Sequence, residues 1–152
     1  MSAAATIRAY VPLTHQQLAA AWPQIDSALG FAPDSAGRAQ HGEALEEAEW
    51  IAMVTAAEVI TEEAAAQRCA RVVLACDLPS GLQVRPVAAG VDAFGPTPLD
   101  PSWVVSAHID APDVVATLPD DTDGAADALQ DSALLWFDVS EIAELVEAFD
   151  QQ

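Results

Sequence analysis

Residues 72–76, Val-Val-Leu-Ala-Cys, form an unbroken apolar run entered at Arg71 and left at Asp77. A strand with no polar alternate positions has no face to give to water, so it belongs in the interior of a sheet. The rest of the chain must supply its neighbours and its cover. Ile7 to Leu13 reads as a short strand whose Pro12 suggests a strand end or an edge. Residues 82–87 read as a weaker strand, an insertion or an edge, carrying Arg85 and Pro86. Trp103 to Ile109 and Ala133 to Asp138 complete the set.

Helical segments lie between the strands. Thr14 followed three residues later by Gln17 is a capping-box signature, and a helix over 15–22 stops near Pro23. The main helix spans 43–67, with Glu43, Glu46, Glu47 and Glu49 in its first turns, where the positive end of the helix dipole favours them. At about 100° per residue, Leu45, Ala48, Ala52, Thr55, Ala56, Val59 and Ile60 share one face. Trp50 and Val54 fall roughly opposite, beside Glu43, Glu47 and Glu58. The helix is therefore either buried on both faces or uses Trp50 as a contact surface. Asp110, with Pro112 after it, suggests the cap of a short helix. Asp138 with Glu141 opens a last amphipathic helix over 140–149. Residues 24–42, with Gly30, Pro33, Gly37 and Gly42, read as an irregular loop with one short turn. Residues 88–101 also read as irregular, and 119–132 as an acidic loop.

The interleaving predicts one α+β domain over 1–152, with residues 1–6 flexible. Its expected sheet is mixed, of four to five strands covered by helices. The element order fits a ferredoxin-like βαββαβ layout with an extra C-terminal helix.

Charge limits the partners. Twenty-four Asp and Glu stand against five arginines and no lysine, a net charge of −19, in a chain that is 52% apolar. A disordered acidic tail would be poor in apolar residues, so the acidity coats a folded domain. Phosphate backbones need Lys and Arg to displace counterions, and Arg8, Arg38, Arg68, Arg71 and Arg85 are too few and too scattered. Direct nucleic-acid binding is not expected, nor is docking to an anionic membrane. A basic protein partner is compatible with the charge, as is a homo-oligomer. Simple solubility is another account of the acidity.

Cys69 and Cys76 flank a strand-like stretch spanning roughly 23 Å, whereas a disulfide needs Cα atoms within about 7 Å. Free thiols and a reducing cytosol are expected. Residues 1–10 lack the basic start and apolar run of a signal peptide, and no run approaches the ~20 apolar residues of a membrane span. A cytoplasmic protein is expected.

Arg8-Ala9-Tyr10-Val11-Pro12, Glu46-Glu47-Ala48-Glu49-Trp50, Arg71 to Pro79, Ala107-His108-Ile109-Asp110 and Leu134-Leu135-Trp136-Phe137 follow one another in that order. The set resembles an actinobacterial family of small acidic proteins of unknown function, with the forms RVYVP, EELEY, RRVVVAADVP, HVD and ELLWY. The resemblance runs from Ile7 to Leu145. It departs at Trp50 (tyrosine in the family), at Ala70 (the first of two arginines) and at Ser132-Ala133 (a polar His-Glu pair). It implies an actinobacterial cytosolic origin and assigns no catalytic residue.

Three candidate sites arise. His108 and Asp110, two apart on a strand, share a face and can form a general base or two metal ligands. A structural histidine beside a helix cap is the competing account. Asp77, Asp110 and Asp138 each follow a strand and would form a Mg²⁺ cluster if the strands ran parallel. The expected strand order separates Asp77 from Asp110. Asp121-x-Asp123-Gly124 lacks the first and twelfth ligands of an EF-hand loop and is read as solvated. There is no nucleophile elbow, Walker loop or G-x-G-x-x-G, and without lysine there is no Schiff base. Cys76 reads as a core residue. Arg8 and Arg71 begin neighbouring strands and could bind an anion, with pairing to carboxylates the favoured account. Trp103 and Trp136 are expected in the core. Trp50 is either an interface residue or buried under 24–42.

Two functions fit. One is a non-enzymatic interaction protein that offers Glu46, Glu47, Glu49 and Trp50 to a basic or nucleic-acid-binding protein, with no cofactor or metal. The other is a small metal-assisted hydrolase or ligand-binding protein using His108, Asp110 and Asp77. Either way the net charge repels itself. The melting temperature should rise as NaCl is added, which thermal denaturation at increasing salt will check; a flat response would mean local compensation.

Overall fold

A computed structural model describes residues 6–151. Among the described residues, seven strands form one sheet, each antiparallel to its neighbours. They are β1 (Thr6–Thr14), β2 (Ile25–Pro33), β3 (Arg71–Pro79), β4 (Val84–Ala88), β5 (Val91–Leu99), β6 (Val104–Asp110) and β7 (Leu134–Asp138). Their order across the sheet is β4-β5-β2-β1-β3-β6-β7. The helices are α1 (His15–Ala21), α2 (Ser35–Arg38), α3 (Gly42–Gln67), α4 (Pro112–Ala116), α5 (Thr122–Gln130) and α6 (Ile142–Asp150).

The apolar run of β3 lies in the interior as expected, between β1 and β6, with Val72 to Cys76 all buried. Its alternate residues serve two cores. Val72, Leu74 and Cys76 join Val11, Leu13, Leu18 of α1 and Ile142 of α6 on one face. Val73 and Ala75 join Tyr10, Phe31 and the alanines of α3 on the other. Small residues on the helix let it lie close to the larger strand residues. Ala52 and Ala56 are fully buried, whereas Val59, expected on this face, is largely exposed.

The sheet corrects the ferredoxin-like, mixed, four-to-five-strand expectation. Residues 24–42 are not a loop but β2 and α2, and residues 88–101 contain β5. Because β2 returns alongside β1, the crossover helix α3 joins β2 to β3, which flank β1 on its two sides. β1 and β3 therefore pair antiparallel along their whole length, Thr6↔Pro79 to Thr14↔Arg71. The weak strand expected over 82–87 is β4, at the sheet edge.

Glycine and proline in β2 and β5 suggest loops in the sequence, but here they fit strands. Gly30 leaves room for the Phe94 ring; a Cβ there would lie 2.2 Å from Phe94 Cε1. Pro96 and Pro98 lie beyond the stretch of β5 that pairs with β4, where a missing N–H is tolerated.

The acidic segment 119–132 is also not a loop. Asp121 caps α5 by accepting the Gly124 N–H at 2.7 Å. The capping box of α1 forms as expected, Thr14 accepting from Gln17 and its N–H donating to the Gln17 side chain. Asp110 does not cap α4; Ala111 holds that position and Asp110 ends β6. Asp138 caps a short 3-10 turn at Val139–Glu141 ahead of α6. Trp103 packs against the core, but Trp136 is 61% exposed, contrary to expectation. Residues 1–5 of the segment expected to be flexible lie outside the described residues, and Thr6 already belongs to β1.

Gly30→Ala should force the buried Phe94 ring to move and cost about 1–3 kcal/mol, as overpacking does. Gly81→Ala, with nothing within 4 Å of the added Cβ, should leave stability unchanged. Denaturant titration of both variants will check the contrast.

Candidate functional site

Trp50, Met53, Val54 and Ala57 follow the i, i+3, i+4, i+7 rule and form one stripe along α3. This is the second apolar face legible in the sequence. Further along the same helix, Ala64 and Ala65 are covered by Ala125 and Leu129 of α5. Nearer its N-terminus α2 packs on the Ala48 side, but among the described residues no helix covers the Trp50 stripe. Between it and β7 runs an open groove of about 410 Å³, lined by the stripe, Glu58, Gln130, Ser132 and Leu134, with Arg71 at its base. Trp50, at its rim, is 59% exposed.

The Arg71 side chain is buried against a fully buried Asp110. Its Nη2 donates to Asp110 Oδ1 at 2.9 Å and its Nε to Oδ2 at 3.1 Å. The Arg71 backbone N–H donates to Oδ2 as well, at 2.8 Å. Nη1 reaches Thr61 Oγ1 of α3 at 3.4 Å, and Nη2 reaches the Ser132 carbonyl ahead of β7 at 3.2 Å. One guanidinium thus ties together β3, β6, α3 and the entry to β7. The fork geometry of arginine suits this bidentate role.

His108 and Asp110 do share a face. His108 is half-buried, directly across from Val73 on β3 and Trp136 on β7, and burial lowers its pKa. Both oxygens of Asp110 are engaged by Arg71. Asp77 sits six residues along β3, about 20 Å away at strand rise. It pairs with Arg8, Nε to Oδ1 at 2.8 Å. Asp138 caps its own turn through Ser140. The three aspartates therefore do not converge, and no three His, Cys, Asp or Glu side chains gather into a metal-holding group among the described residues.

The acidic residues of α3 divide between two surfaces. Glu46 and Glu47 are exposed. Glu49 instead faces a polar hollow with Arg8, Arg38 and Asp77, away from the Trp50 groove. Tyr10 beside it has its pKa pushed up to about 12, by burial and then by the Glu49 charge. Cys76 is a core residue as expected; burial and then Asp77 push its thiol up to about 12. Both cysteines are free.

The contribution of β7 to this site is not evident in the sequence. Its continuous Leu-Leu-Trp-Phe run resembles an interior strand, yet it lies at the end of the sheet. Leu134 and Trp136 face the α3 side, while Leu135 and Phe137 face the α6 side. The strand is short, five residues against nine for β3, but the apolar runs 133–137 and 72–76 are equally long, so the sequence carries no signal that separates the two.

These features define a small α+β domain with a single antiparallel sheet and an open groove beside one edge. The chain belongs to a family of unknown function, DUF6912, whose model matches residues 7–146. No curated protein and no solved structure matches it.

Asp110→Ala should cost about 3–5 kcal/mol, because it strands a buried guanidinium. Combining it with Arg71→Met should recover part of that loss. Thermal and urea unfolding of the single and double variants will measure both.

Proposed function

We propose that this protein is a non-enzymatic interaction protein that uses the α3–β7 groove to bind a basic, or nucleic-acid-binding, protein partner in the cytoplasm. The observation that carries the reading is a Trp50 side chain more than half exposed at the rim of an apolar groove, in a chain of net charge −19. Large aromatics beside charged rims are characteristic of protein interfaces. Glu47 and Glu58, eleven residues apart and so on nearly the same helix face, supply an acidic rim. Glu46 extends it, whereas Glu49 turns to the Arg8 side and is not part of this surface.

Metal-assisted chemistry on His108, Asp110 and Asp77 has less support. Asp110 is held by Arg71 and Asp77 by Arg8. The charge favours a basic partner and disfavours nucleic acid and anionic membrane. No described helix is long and apolar enough to cross a membrane.

Affinity capture from native lysate, with wild-type protein and Trp50→Ala in parallel, tests the proposal. The expected result is a stoichiometric basic protein retained at low salt, released as salt rises, and reduced at least about tenfold by Trp50→Ala, as for an interface anchor. Equal capture by both proteins, or none, would overturn it.

A further inference from the structure

The two edges of the sheet are built differently. β4 has the usual protection of an exposed edge: Arg85, Pro86 and a register shift between Pro86 and Ala88. β7 has none of these over Leu134-Leu135-Trp136-Phe137. It pairs with β6 in unbroken register from Asp110↔Leu134 to Ser106↔Asp138 and, among the described residues, has no strand on its outer side. Leu135 and Trp136 are both exposed. An unguarded apolar edge is a template for another strand.

We propose that the partner of the preceding section binds as an extended segment that adds to the outer edge of β7 as an eighth strand. It lays apolar side chains toward the α3–β7 groove and sets a Lys or Arg against Glu58. This rests on the interaction reading and specifies its mode. Strand addition supplies affinity through main-chain hydrogen bonds, and the pockets for alternate side chains supply selectivity. The groove lies on the face to which Leu134 and Trp136 point, so alternate residues of an added strand would point there too.

Charge selects the occupant. Among the described residues, the groove's cation, Arg71, is already bound by Asp110, while Glu58 has no ion pair. A buried apolar contact flanked by an unpaired carboxylate calls for a basic residue in the incoming segment. A second copy of this chain would bring a further −19 to the contact, so pairing of two β7 edges is disfavoured.

Selection of a displayed library of random peptides against the full-length protein tests this. Enriched peptides should alternate apolar residues and carry at least one Lys or Arg. A synthetic copy of the best peptide, N-methylated at alternate backbone nitrogens, should bind at least about tenfold more weakly, since it cannot form the ladder. Trp136→Lys, at an exposed position, should keep the wild-type melting temperature and weaken the peptide by a similar factor. Amide shifts on binding should centre on β7 and the Trp50–Glu58 turns. Equal binding by the N-methylated peptide, winners without basic residues, or a dimer formed through β7 in sedimentation would each overturn the inference. A blank selection alongside Trp50-dependent capture from lysate would overturn strand addition and leave the interaction reading standing. Loss of both would remove both.

Discussion

The Arg71–Asp110 pair holds the architecture around the site. Next to the Val72↔Ile109 pair at one end of β3 and β6, the two residues bring opposite charges into the buried interior. Burying ions is costly unless their hydrogen-bonding capacity is met. Here the carboxylate takes two guanidinium bonds and a backbone N–H, and the guanidinium also reaches α3 and the chain entering β7. A contact of this kind defines register. A one-residue slip of β6 against β3 would turn Asp110 to the other face and leave Arg71 unpaired.

That clamp also explains why a groove exists. α3 packs on β1, β2 and β3, and α5 covers it at its C-terminal turns. Arg68, at the left-handed end of α3, anchors the chain before α5 through the carbonyls of Leu118, Pro119 and Asp120. β7 is held at its entry by Arg71 through Ser132. The space between the Trp50 end of α3 and β7 is what these anchors leave uncovered. Its apolar lining follows from the second stripe of α3.

The central strand, the long helix, the first capping box and the edge character of β4 were legible because each depends on local pattern. β2 and β5 were not, because Gly30 and the prolines of β5 have meanings that only neighbours reveal: one makes space for Phe94, the others lie where β4 has ended. Asp110 misled in a related way. An Asp ahead of Ala-Pro fits a helix cap, and its actual partner lies 39 residues upstream. Asp121 shows the converse, an acidic segment hiding an ordinary helix cap. Helical spacing put Trp50 on a second face of α3 and left its burial open, and the placement of Trp136 at an edge depends on strand order, which a single sequence does not state. The family match extends across the fold and leaves the activity open.

The placement of Cys76 carries a consequence of another kind. Its thiol lies fully buried in β3, the strand flanked on both sides and covered on both faces, with its ionisation suppressed. A thiolate is the reactive form, so the folded protein shields this sulfur from alkylation and oxidation alike. Modification must wait for β3 to leave its neighbours. The residue is thus an internal clock for the opening of the sheet's interior, readable without any label added to the fold.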